Sequence, residues 1–143
     1  MASRDTRTGR VMEEMIPPAL RRGGYEFKEQ VIIGLRLGVG KHKVDYLLED
    51  PAGGQILVSA KWQQVSGTAE EKVPYEVVCL ADSVNASNGK FRKAYLVIGG
   101  EGWKPKLKDF YLTDGLSRFL KNCDVVKIVS LESFIAKANK KEL

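Results

Sequence analysis

Asp45 opens one apolar run of the chain, and Lys61 stands near the end of the next. The turn Asp50-Pro51-Ala52-Gly53-Gly54 joins the two runs. A half-buried strand pair has no use for an isolated charge, because burying either group unpaired is costly. Together, the two groups suit a definite chemistry. A carboxylate offers the hard oxygen that Mg²⁺ prefers. A neighbouring ammonium can orient a phosphate, stabilise its developing charge, or help deprotonate an attacking water. Side chains alternate along a strand, so Ser59, Lys61 and Gln63 form one polar row. Ile56, Val58, Ala60 and Trp62 form the opposite, buried face. The plainer reading, a cross-strand ion pair, is usually exposed and contributes little.

The rest of the composition narrows the choices. The chain has 143 residues, enough for one domain with a sizeable core. Apolar residues make up 43% and charged residues 29%, as in soluble globular proteins. The net charge of +5 permits a polyanionic partner without requiring one. Cys79 and Cys123 lie far apart in apolar contexts, which predicts free buried thiols rather than a disulfide framework or a zinc site. A single histidine, His42, excludes mechanisms built on a histidine cluster. The opening MASRDTRTGR has no apolar core, so no secretory signal is expected. No run is long enough to span a bilayer. The expected location is cytoplasmic, nucleoid-associated or nuclear, with no membrane partner.

These residues must be held by elements, and the pattern of the chain supplies them. Val11, Met12, Met15, Ile16 and Leu20 have helical spacing, which Pro17-Pro18 should end or kink. Strand-like runs follow at Val31–Leu37, Lys43–Leu48 and Gln55–Trp62. Helical spacing returns over Val73–Ala86 with Pro74 in its first turn. KAYLVIGG reads as a buried strand, Asp114–Lys121 as a helix, VVKIVS as a fifth strand and LESFIAKANKKEL as a closing amphipathic helix. The order α-β-β-β-α-β-α-β-α predicts an α/β fold: an antiparallel meander, then strand–helix alternation, giving one mixed sheet with helices on both faces. Trp62 reads as core, Trp103 as packing over the sheet end, and the glycines of VIGGEG as a turn rather than a dinucleotide fingerprint.

With this order in place, VDYLLEDPAGGQILVSAK resembles the core of the PD-(D/E)xK nucleases, the superfamily of most restriction endonucleases and of archaeal Holliday junction resolvases. In that pattern an aspartate on the second strand is followed by acid-x-Lys on the third. The resemblance covers roughly residues 9 to 100, and it implies a restriction-endonuclease-like αβββαβ core in a single domain. It departs from the pattern at two points: Val44 replaces the proline of the first motif, and Ser59 replaces the acid in Ser59-Ala60-Lys61. A subset of restriction enzymes shares Ser-x-Lys and supplies the carboxylate from the following helix. Here Glu76, fifteen positions after Lys61, is the first expectation for that carboxylate. Glu70 is the second, with Glu71 beside it in the same stretch. Gln63 resembles the glutamine that helps place the metal-bound water or a phosphate.

GRVMEEMIPPALRRGGY resembles the opening segment of the resolvase-like branch, where a glutamate faces the site. That maps to Glu13, or to Glu14 with a one-residue slip. RLGVGKHKVD resembles the glycine-rich basic loop that lies against DNA, which makes Arg36, Lys41, His42 and Lys43 the expected DNA contacts. Arg21, Arg22, Lys104, Lys106 and Lys108 are further basic candidates.

The resemblance thus implies a Mg²⁺-dependent DNA endonuclease, of restriction, homing or resolvase type, with Mn²⁺ able to substitute. Asp45 with Glu76 or Glu70 would hold the metal, while Lys61 and Gln63 would assist. One site cuts one strand, so cutting a duplex implies a homodimer or higher homo-oligomer. The alternative on the same fold is a catalytically degenerate DNA-binding module. DNA affinity should fall with salt in either case.

Overall fold

The computed structural model describes residues 7–143. Part of the MASRDTRTGR segment, read above as lacking a secretory signal, lies outside the described residues. Helix α1 (Arg7–Arg22) precedes strands β1 (Phe27–Arg36), β2 (Gly40–Glu49) and β3 (Gln55–Trp62). Helix α2 (Ala69–Asn85), strand β4 (Phe91–Gly99), helix α3 (Pro105–Leu112), strand β5 (Val126–Ser130) and helix α4 (Leu131–Asn139) complete the chain. The sheet order is β1-β2-β3-β4-β5. The first three strands form an antiparallel meander, and β3, β4 and β5 run parallel.

The predicted mixed sheet between helices is what the chain builds, with one buried layer on each side. Ile16, Leu20, Leu48, Ile56, Val58, Val97 and Phe134 pack between the sheet and α1 and α4. Val44, Leu57, Val77, Leu80, Leu96 and Ile98 pack beneath α2 and α3. Among the described residues no helix is long and apolar enough to cross a membrane. Cys79 is buried, Cys123 is half-buried, and both are free.

Four local expectations need correction. Helix α1 continues through Pro17 and Pro18 instead of ending there. The buried face formed by Met12, Ile16, Ala19 and Leu20 offsets the donors lost to proline. Helix α2 starts a turn earlier than Val73, which leaves Pro74 inside it. Its first turn carries Glu70 and Glu71, as the positive end of the helix dipole favours. The helix expected at Asp114–Lys121 is a short 3₁₀ turn, Gly115–Arg118, because Asp114 adopts a left-handed φ of 64°. The true helix in that region is α3, whose first position is Pro105, a residue preorganised for a helix start. Finally, β1 begins at Phe27, before Val31.

Candidate active site

Strand β3 supplies the platform. Its pairing with β2 runs from Glu49↔Gln55 to Tyr46↔Val58 and stops there, although both strands continue. The fork opens at Asp45. The β1–β2 ladder skips Gln30 opposite Asp45, and Gln30 has a φ of 53°. The inward face of β2 changes at the same point: Val44 packs on the α2 side, whereas Tyr46 packs on the α1 side. This break in the period-two alternation frees the Asp45 side chain from either core layer.

The Asp45 carboxylate fills the fork. Oδ2 accepts the Ala60 N–H at 2.7 Å, and Oδ1 accepts the Gln30 side-chain amide at 3.3 Å. The carboxylate lies in a cleft lined also by Met12, Glu13, Tyr46 and Trp62. Glu13 therefore shares the cleft with Asp45. Glu14 is exposed and is not among the lining residues. Trp62, read as core, is only half-buried, with its indole N–H enclosed and unpaired. Trp103 packs over the sheet end and donates to Gly99 O at 2.7 Å.

On the other face of β3, Ser59 and Lys61 point toward α2. Ser59 Oγ donates to Glu76 Oε2 at 3.0 Å, and His42 Nε2 lies 3.2 Å from the same oxygen. Arg36 approaches Glu76 Oε1 at 3.4 Å. Burial pushes the Glu76 carboxyl up. The His42 hydrogen bond, the Lys61 charge and the Ser59 hydroxyl more than offset this and leave its pKa below the ordinary value. Glu76 is thus an ionised carboxylate held just beyond a serine, about where a longer acidic side chain at position 59 would carry its own. Asp45 and Glu76 meet β3 at the consecutive residues Ala60 and Ser59, one from each side.

Glu70 and Gln63 are placed differently. Glu70 Oε2 accepts the Lys104 N–H at 3.0 Å, and Oε1 pairs with Lys104 Nζ at 3.1 Å, an arrangement that lowers its pKa. Gln63 donates to Gly102 O at 2.8 Å and accepts the Glu70 N–H at 3.3 Å. Both side chains are buried and knot the end of β3 to the start of α2 and to the loop before α3. Among the described residues neither side chain hydrogen-bonds or ion-pairs with Asp45 or Lys61.

Of the basic residues expected at DNA, Lys41 and Lys43 are exposed and Arg36 is half-buried against Glu76. His42 is fully buried, which corrects its placement among surface contacts. The same alternation that buries Val44 turns His42 inward, and that was legible in principle from their shared parity. Gln30 and Ser83 went unnoticed, since no local pattern marks either.

The donor chemistry fits Mg²⁺. Asp45 and Glu76 carry hard oxygen donors, and Asp45 Oδ1 and Glu76 Oε1 have only long contacts, at 3.3 Å and 3.4 Å. Among the described residues no three His, Cys, Asp or Glu side chains form a complete cage. Mg²⁺ seldom uses such a cage, retaining waters and taking substrate phosphates instead.

No curated protein matches the chain. Among solved structures it is similar to the crystal structure of a protein of unknown function, AF1548, with a TM-score of 0.48 and 12% identity over 81% of this chain. The match spans 54% of that protein. The model of the PD-(D/E)XK nuclease superfamily domain matches residues 4–142. With a five-stranded mixed sheet between helices and a family match over nearly the whole sequence, the chain belongs to the PD-(D/E)XK nuclease superfamily and has its restriction-endonuclease-like fold.

Proposed function

We propose that the protein is a metal-dependent DNA endonuclease whose missing motif acid is replaced by Glu76. One observation carries this reading: the 3.0 Å hydrogen bond from Ser59 Oγ to Glu76 Oε2 on the strand that bears Lys61. Asp45 and Glu76 would hold Mg²⁺, or Mn²⁺ in its place. When bound, such an ion lowers the pKa of a coordinated water and neutralises phosphate charge.

The side chains divide the remaining work. Lys61, half-buried on the α2 face, presents its ammonium to the scissile phosphate and stabilises the charge that develops there. Asp45 is fixed by the Ala60 N–H, so it needs little reorganisation during the reaction. Glu13, in the same cleft, is an accessory carboxylate, and Gln63 supports Lys61 through the β3 backbone. Lys41 and Lys43 contact DNA phosphates from the start of β2, and two copies of the chain cut the two strands of a duplex. A binding module without cleavage is the second reading, favoured by the motif acid missing at Ser59.

Supercoiled plasmid with Mg²⁺ or Mn²⁺ separates the two. The wild type should nick or linearise it, EDTA should stop the reaction, and Asp45→Ala and Lys61→Ala should each lose at least 10²-fold in rate. DNA binding without cleavage by the wild type, on plasmid and on branched substrates, would favour the module.

A further inference from the structure

His42 is the chain's one histidine, and its ring is fully buried between β2 and α2. Nε2 lies 3.2 Å from Glu76 Oε2, and Nδ1 lies 3.2 Å from Ser83 Oγ. An ionised carboxylate has no proton to share, so the first contact requires Nε2 to carry the hydrogen. Ser83 can then donate to Nδ1 of a neutral ring. Glu76 and Ser83 are seven residues apart, two turns along one face of α2. The imidazole thus bridges two points of the helix from a strand position three residues before Asp45. It ties the strand that carries one carboxylate to the helix that carries the other.

We infer that His42 is a positioning residue for Glu76. With Ser59 it occupies Oε2 and fixes the carboxylate's rotamer, so that Oε1 is the oxygen presented to a divalent cation. Oε1 has only the longer contact with Arg36, whose side chain is 34% exposed and whose guanidinium also lies over the Tyr75 ring. A buried histidine with both nitrogens paired is ordinarily a satisfied core residue. This one grips the carboxylate that adjoins Lys61, and outer partners of this kind set ligand orientation and metal affinity. The inference rests on the reading of Glu76 as a metal ligand.

Mn²⁺ binding to the DNA-free protein, followed by the electron paramagnetic resonance of the free ion, tests it. Circular dichroism checks that each variant is folded. Glu76→Gln should lose binding, and His42→Phe should weaken it about tenfold. His42→Gln, whose amide can still donate to Oε2, should recover most of the loss, and Ser83→Ala should fall between. A purely structural histidine would leave Mn²⁺ affinity unmoved in any folded variant. Wild-type affinity in His42→Phe, or in Ser83→Ala if His42→Phe does not fold, with Glu76→Gln still defective, overturns the inference alone. Wild-type affinity in Glu76→Gln overturns the ligand reading and the inference with it.

Discussion

Glu70 and Glu76 lie six residues apart on α2, both buried and both with pKa values below the ordinary 4.5, but different partners hold them. For Glu70 the backbone N–H of Lys104 is the main cause, followed by the Lys104 side chain. For Glu76, burial works against ionisation, and His42, Lys61 and Ser59 together outweigh it. A carboxyl whose folded pKa is depressed contributes stability that is full above its unfolded value and is lost as pH falls through the folded one. The melting temperature should therefore hold steady from neutral pH down to about 5 and drop below about 4.5. Glu70→Gln should flatten part of that drop when Tm is measured from pH 6 to pH 3. An unchanged acid slope in Glu70→Gln would mean that the Lys104 contacts do not favour the ionised form. Glu76 could be singled out in the sequence because the resemblance to Ser-x-Lys restriction enzymes implies a carboxylate from the following helix, and Glu76 stands fifteen positions past Lys61. Among its partners, Ser59 and Lys61 share one row of β3 and His42 has the inward parity of Val44, whereas no local pattern marks the approach of Arg36 from the end of β1.

At the scale of elements, the site depends on a knot of loops. Gln63 N–H donates to Gly99 O at 3.0 Å, and Gly102 N–H donates to Gln63 O at 2.7 Å, so the ends of β3 and β4 are locked side by side. Gly100 sits inside this knot with a φ of 100°, and a Cβ there would meet Gln63 O at 2.3 Å. Gly100→Ala should cost the backbone strain of about 1–3 kcal/mol and a steric term besides. Gly53→Ala has a similar φ of 105° but open space around it, and should cost the strain alone. Chemical denaturation of both variants should therefore rank Gly100→Ala clearly lower. Equal losses would mean that the knot yields easily.

The legibility of the elements followed the strength of their local signals. β3 was readable to the residue, since a glycine turn and clean alternation bound it. For α1 and α2, prolines signal a stop or a start that the packing around them overrides, whereas α3 lies before the Asp114–Lys121 run that carries helical spacing. The role of Gln63 was obscured because its partners come from the distant β4–α3 loop.

For the whole molecule, the sheet keeps two core layers apart and leaves its fork as the place where carboxylates from β2 and α2 approach one strand from opposite sides. The net charge of +5 permits a polyanionic partner, with exposed Lys41 and Lys43 at the start of β2 and Arg36 at the end of β1. The central claim is that a helix carboxylate, Glu76, has taken over from the acid missing at Ser59. The most direct measurement compares Mg²⁺-dependent nicking of supercoiled plasmid by wild type, Glu76→Gln and Glu70→Gln, all confirmed as folded. The account predicts nicking by the wild type, its loss in Glu76→Gln, and its retention in Glu70→Gln. Full nicking by Glu76→Gln, with or without loss in Glu70→Gln, would contradict it.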